Sequence, residues 1–284
     1  TTGHRTSIRS GLPTPTWRKL YGGVQPTKSR AVQVTDNTGM MEDYSEVDKA
    51  LVEMAGNPAA FRLQEDRPHI EGMNQEFAST LFYGDESTAP EEFTGLSARY
   101  NSLSAENGDN IIAGGGSGSD NASIWLICWG PNTCHGIIPK GSKAGVQQRD
   151  LGEVTLENAD GANGRMQAFR THYRWDVGLS VRDWRYAVRI ANIDRSALTA
   201  DISAGADLND LMHQAWTEIP NTSMGRCAWY MDKSILSMLR RQTSSAVSSS
   251  TLTTDLVGGT MQTSWGGIPI RRCDALRGNE ATVS

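Results

Sequence analysis

Residues 1–39 read TTGHRTSIRSGLPTPTWRKLYGGVQPTKSRAVQVTDNTG. The first thirty-five of them carry six basic side chains, Arg5, Arg9, Arg18, Lys19, Lys28 and Arg30, and no acidic one. The whole chain is at -5 at pH 7, so a basic ribbon is joined to an acidic body. Such a polarity points to partners. Pro13, Pro15, Pro26 and Gly22-Gly23 leave the ribbon little apolar surface to bury. Burial must offset an ordering entropy of roughly 1–2 kcal/mol per residue, so the ribbon is expected to order against something else. The nearest acidic surface is another copy of the chain. Ile8 to Trp17 is expected to run outward, with a turn near Tyr21 to Val24. The alternation of Ala31 to Thr35 predicts a returning strand with one covered face.

The body behind the ribbon starts acidic. Ser45 predicts an N-cap, with Val47, Leu51 and Met54 on the helix and Gly56 as its stop. Glu42, Asp43 and Glu46 lie in or beside it and form the expected counter-surface for a neighbour's ribbon. A longer helix is predicted over 58–83, with Ile70, Met73, Phe77 and Leu81 as one stripe. Pro68 predicts a kink, or two helices meeting near Arg67. Residues 84–120 read as connection ending in a flexible Gly-Ser run, GGGSGSD at 114–120. Ile124 to Trp129 reads as a buried strand. Residues 165–193 read as a long paired ribbon turning near Asp176 or Gly178. From 204 to 276 a small α/β lobe is expected: a helix at 207–216, a strand at 226–231, a helix capped by Asp232, a polar loop at 243–254 and a strand at 267–272.

The totals bound the function. A chain of 284 residues with 38% apolar and 21% charged residues is globular, as one large domain or two smaller ones. Its acidic balance argues against coating nucleic acid non-specifically. No apolar run reaches the roughly 18–20 residues of a membrane span, so no membrane partner is expected. Cys128, Cys134, Cys227 and Cys273 lack C-x-x-C spacing and read as reduced, mostly buried thiols. A start at Thr1 without Met points to processing or to a longer product.

No stretch demands catalysis. The Gly-Ser run lacks the phosphate-loop frame and fails G-x-S-x-G at Ser119. Cys134 and His135 are adjacent, so in an extended chain they face opposite ways. His4, His69, His135, His172 and His213 show no metal-ligand spacing, so no metal and no cofactor is expected. Trp125, Trp129, Trp175 and Trp184 read as core. Trp17 sits in the polar ribbon, where an intersubunit anchor is the natural role for an aromatic side chain.

Several stretches resemble one family: GLPTPTWRKLYGGVQPTKS (11–29), YSEVDKAL (44–51), FASTLFYGDESTAPEEFTGL (77–96), SIWLICWGPNTCHGIIPKGSKAG (123–145) and RWDVGLSVRDWRYAVRIANID (174–194). They are similar to the major capsid proteins of tailed double-stranded-DNA phages, in a podophage branch. A member from a Bordetella phage is the narrower expectation. The resemblance implies an α+β class, the Hong Kong-type phage capsid fold, with an altered segment order as the open alternative. Residues 1–39 become its extended loop and 40–203 its peripheral domain, with spine helix 58–83 and β-ribbon 165–193. Residues 204–276 become its axial domain, and 277–284 a C-terminal tail. The implied function is a non-enzymatic capsid subunit that assembles through pentamers and hexamers into an icosahedral head around DNA. The implied partners are itself, a cement or decoration protein, a scaffold and the portal. The implied place is the virion, assembled in the host cytoplasm. Intersubunit contacts are expected from Arg5, Arg9, Trp17, Arg18, Lys19, Lys28 and Arg30 against Glu42, Asp43 and Glu46. Some members crosslink a loop Lys to an Asn. Lys19 and Lys28 lie on the loop, but no partner Asn or catalytic Glu is identifiable, so non-covalent locking is expected. The competing expectation is a soluble enzyme or nucleic-acid-binding protein with a basic arm.

Overall fold

The computed structural model describes residues 3–157, 159, 161–201, 205–245, 252–257 and 260–284. In chain order the elements are β1 (Gly3–Gly11), β2 (Arg30–Asp48), α1 (Lys49–Met54), α2 (Pro58–Tyr83), α3 (Leu96–Arg99), β3 (Ile111–Ala113), β4 (Asn121–Trp129), β5 (Cys134–Ile137) and β6 (Gln147–Glu157). Then come β7 (Arg165–Val181), β8 (Ala187–Asp194), α4 (Arg195–Ala200), α5 (Leu208–Glu218), β9 (Arg226–Met231), α6 (Lys233–Ser245), β10 (Leu252–Val257), β11 (Thr260–Trp265) and β12 (Ile268–Arg272). Two compact units result. Asn37–Ala98 and Gly136–Gly178 form the first; Gly3–Asp36, Arg99–His135 and Leu179–Ser284 form the second.

In the first unit β7 is flanked by β2 and β6, both antiparallel to it. Strand β2 runs on to Asp48, so the expected helix start at Ser45 is displaced: Asp48 caps α1, its carboxylate accepting from the Ala50 N–H at 2.9 Å. Alternation decides this, because Asp43, Ser45 and Val47 face one side while Glu42, Tyr44 and Glu46 face the other. Opposite Asp43, Ser45 and Val47 stand Tyr173, Thr171 and Phe169 of β7. Helix α2 packs against these residues. Its contacts run along Arg62 (guanidinium 4.8 Å over Phe169), His69 (stacked with Tyr173 at 6.5 Å) and Phe77 (stacked with Trp175 at 4.5 Å). Asp66, Met73 and Thr80 are buried on the same side. The stripe is therefore 62, 66, 69, 73, 77 and 80, and Ile70 and Leu81 are only half-buried. Pro68 does not divide the helix into two. It is solvent-exposed, so water can satisfy the carbonyl that its missing N–H leaves free.

The paired ribbon expected over 165–193 is not formed. Strand β7 continues through Asp176 and Gly178, and β8 pairs instead with β3 and β4. Gly178 is not a turn residue. A Cβ there would come within 2.7 Å of the Asn37 carbonyl oxygen on the adjacent strand, so glycine permits the close approach.

The second unit holds strands in the order β3-β8-β4-β9-β12-β11-β10. Strand β4 is central and buried from Asn121 to Cys128, as its apolar run predicts. Its Ile124, Leu126 and Cys128 enter one core with Val188, Ile190 and Trp229. Helices α5 and α6 add Leu208, Met212, Ala215, Ile235 and Leu239 to that core. Each fully buried Leu or Ile contributes roughly 1.5–3 kcal/mol. Asp207 and Asp232 sit at the starts of α5 and α6 as expected. Of the polar loop expected at 243–254, residues 243–245 instead end α6 and 252–254 begin β10, and 246–251 lie outside the described residues.

Three boundaries differ from the expectation. Residues 99–135 and 179–203 group with the 204–276 lobe instead of the 40–203 domain. The chain thus leaves the first unit after Ala98, returns at Gly136 for β6 and most of β7, and leaves again after Gly178. The reason is strand pairing: β4 and β8 are neighbours of β3 and β9. The Gly-Ser run is not wholly free either. Gly114 and Gly116 N–H donate to the Ala191 and Asn192 carbonyls at 2.7 Å each, and a Cβ on Gly116 would meet Asn121 Oδ1 at 2.5 Å. Residues 277–284 are not a loose tail. Glu280 and Val283 are buried, and Val283 exchanges two hydrogen bonds with Asn192, both 2.8 Å.

Candidate functional site

Residues 12–29 have no regular structure beyond a turn at Leu20-Tyr21, and nearly all are exposed. The turn is closed by Gly22 N–H donating to the Lys19 carbonyl at 3.0 Å, with Tyr21 at φ 63°. On either side of this loop β1 and β2 are hydrogen-bonded neighbours, with Gly11 against Arg30. The loop is thus shorter in strand than the sequence suggests: the outward strand ends at Gly11, before Leu12-Pro13, because prolines supply no donor to a ladder. Trp17 is 100% exposed, and Leu20 and Tyr21 are exposed with it. Arg5, Arg18, Lys19, Lys28 and Arg30 are exposed and form no ion pair among the described residues. Arg9 lies in β1, and its side chain lies outside the described part.

The acidic members are placed differently. Glu42, Asp43 and Glu46 lie on β2 and already face basic side chains of their own unit. Glu46 binds Arg170, directly opposite in register, at 2.6 Å. Glu42 lies 3.7 Å from Arg174, also opposite, and 3.4 Å from His172. Asp43 meets His69 of α2 at 2.7 Å. An open cleft of about 360 Å³ is lined by these three carboxylates with Tyr44 and Arg170. Most of the local negative charge is therefore balanced within the chain, and the cleft is a weaker counter-surface than the sequence suggests. Nearby, Asp176 is buried, which by itself raises its pKa. Hydrogen bonds from Arg174 (3.0 Å) and Ser142 (2.7 Å) outweigh burial and hold the carboxyl below its ordinary value.

A different acidic group includes Glu91-Glu92, which the sequence offers only as one of several adjacent carboxylate pairs on a solvated or partner-facing surface. Glu76 of α2 and Glu91 and Glu92 of the following segment surround a mostly apolar cavity of about 170 Å³. Glu91 and Glu92 are visible in the sequence as an adjacent pair, yet only the packing of 91–93 beside Gly39 joins them to Glu76. A Cβ on Gly39 would lie 3.0 Å from the Glu91 carbonyl oxygen.

Cys134 is buried, and burial pushes its thiol up to about 12. Among the described residues no cluster of three or more His, Cys, Asp or Glu side chains is arranged to hold a metal ion. No helix among them is long and apolar enough to cross a membrane. The buried polar cluster of the second unit is structural: Arg189 meets Glu280 at 2.7 Å, Ser123 at 3.1 Å and the Tyr100 carbonyl at 2.7 Å, and lies 5.3 Å over Trp125.

The family model of the major capsid protein GP7 matches residues 1–284. This chain belongs to that family. It is also similar to a chain in the near-atomic structure of bacteriophage Epsilon15, with 38% identity over 99% of this chain and 84% of that one, at a TM-score of 0.71. Weaker likenesses are to the capsid of bacteriophage JBD30 (9% identity, 98% and 86% covered, TM-score 0.48) and to the capsid of a native GTA particle (9%, 67% and 85%, TM-score 0.44). No curated protein compared with the chain matches it. These matches do not single out a Bordetella phage. The phage major capsid protein has the Hong Kong-type mixed α/β fold, and it is a structural protein, not an enzyme. It associates with itself into an icosahedral shell and is part of the virion. The arm-bearing enzyme or nucleic-acid binder is not favoured.

Proposed function

We propose that residues 3–36 form an extended loop that reaches over a neighbouring copy in the shell, and that loop contacts lock pentamers and hexamers together. The observation that supports this reading is the loop itself: an aromatic side chain at 100% exposure beside cations that form no ion pair among the described residues. An exposed indole is a poor end state in water and a strong anchor at an interface. In this reading Asn37–Ala98 with Gly136–Gly178 is the peripheral domain, with α2 as its spine. The remainder of Arg99–Ser284 is the axial domain at the capsomer centres. The loop contacts run from Arg5, Arg9, Trp17, Arg18, Lys19, Lys28 and Arg30 to acidic surfaces of neighbours, Glu42, Asp43 and Glu46 among them.

Each exposed ion pair contributes about 0–1 kcal/mol, and the closed symmetry of a shell multiplies that small term. The shell encloses double-stranded DNA and forms in the bacterial host cytoplasm with a scaffold, a portal and a cement or decoration protein. Subunits are held without covalent crosslinks. Negative-stain electron microscopy of the purified chain at low and moderate salt tests the core of this reading. Closed shells or five- and six-membered rings are expected; a uniform small oligomer with a salt-dependent DNA complex would overturn it.

A further inference from the structure

The cavity beside the C-terminal half of α2 has a specific composition. Met40 and Met41 of β2, Trp175 and Val177 of β7, and Phe93 line it, and Trp175 is itself backed by Phe77. At about 170 Å³ it lies below the roughly 300–1,000 Å³ usual for small-molecule sites. It has room for about one aromatic side chain: an apolar cavity of about 150 Å³ takes up benzene. Methionine lining adapts to the shape of what enters. Its polar border is acidic, with Glu76, Glu91 and Glu92 forming no ion pair among the described residues.

We propose that this cavity receives Trp17 from a second copy of the chain. The inference rests on the loop reading above and names the site to which that loop binds. Trp17 is followed directly by Arg18 and Lys19, so seating the indole brings two cations, unpaired among the described residues, beside a lining that includes the acidic residues Glu76, Glu91 and Glu92. That is complementarity of both shape and charge, arranged as a desolvated anchor with a charged rim. Pro13 and Pro15 stiffen the approach and reduce the entropy lost on docking. The pair Glu42–Glu46, by contrast, is balanced by Arg174 and Arg170.

The test uses the full chain, with photo-methionine replacing methionine, assembled together with isotopically heavy unlabelled copies. Shells are verified by electron microscopy, irradiated and digested. Mass spectrometry should find Met40 or Met41 joined to a heavy peptide that contains Trp17. Trp17→Ala, and separately Glu91→Lys with Glu92→Lys, should weaken assembly at least about tenfold, as expected for a hot spot, while circular dichroism stays unchanged. Tyr21→Ala should have a smaller effect. If Met40 and Met41 join other segments while the loop is joined elsewhere on a neighbour, the cavity assignment is overturned and the loop reading stands. If the loop joins no second copy in verified shells, both are overturned.

Discussion

Glu280 shows what one residue does at the end of this chain. Its carboxylate is buried against Arg189, whose remaining donors go to Ser123 and the Tyr100 carbonyl. Removing one partner of such a pair leaves an uncompensated charge and costs about 3–5 kcal/mol. Glu280→Ala should therefore lower the urea midpoint of the isolated subunit steeply; an unchanged midpoint would refute the assignment. Asp176 carries a pH signature. Its folded pKa is depressed, so its stabilisation is complete above the unfolded value of about 3.9 and is lost as pH falls through the lower folded value. Thermal melts of wild type and Asp176→Asn should differ most near neutrality and converge as the pH falls through and below about 4. A gap independent of pH would assign the effect to packing. The role of Glu280 was not visible in the sequence, because its partners Arg189 and Ser123 lie 91 and 157 residues away, and that of Asp176 was only half visible, because Arg174 is two residues away but Ser142 is 34.

At the scale of elements, helix α2 was legible and its face was not. Its ends at Pro58 and Tyr83 follow from Asn57 as cap and Gly84 as stop. Apolar periodicity alone picks Ile70 and Leu81, yet the buried side uses Arg62, Asp66 and His69, polar side chains satisfied or stacked on β2 and β7. Met73→Ala should cost about 2–5 kcal/mol, and Leu63→Ala, at 53% exposure, close to nothing. Denaturant unfolding of the two variants separates this face from its opposite. The loop element makes the reverse prediction. Arg18→Glu with Lys19→Glu should leave circular dichroism and melting unchanged and abolish shells in the microscope. Normal shells from that double variant would refute the loop's role.

The whole molecule divides its tasks between buried and exposed surface. The second unit's core and the helix-covered sheet of the first bury their side chains within the chain, whereas residues 12–29 remain exposed. Assembly driven by such a basic loop should slow as salt rises from about 0.01 to 0.15 M, where the screening length falls from about 30 to 8 Å. Light scattering during assembly measures this, and a rate independent of salt would leave the apolar contacts as the only driving force. Because each contact is weak, the effect should be far larger on shell formation than on subunit stability.

The resemblance carried by the motifs at 11–29 and 77–96 indicated the capsid class, while composition, charge polarity and periodicity indicated the exposed loop, the long helix and the central strand. These are local properties: a proline-rich basic segment cannot bury itself, and a capped periodic run becomes a helix wherever it lies. What needed the tertiary structure was every pairing across sequence distance. It decided that β7 runs straight through Gly178, that 99–135 joins the C-terminal lobe, that Glu42 and Glu46 are balanced by β7, and that Glu76, Glu91 and Glu92 converge on one cavity. Strand partners are chosen by complementary faces and backbone approach, and neither is written in the spacing of residues along one segment.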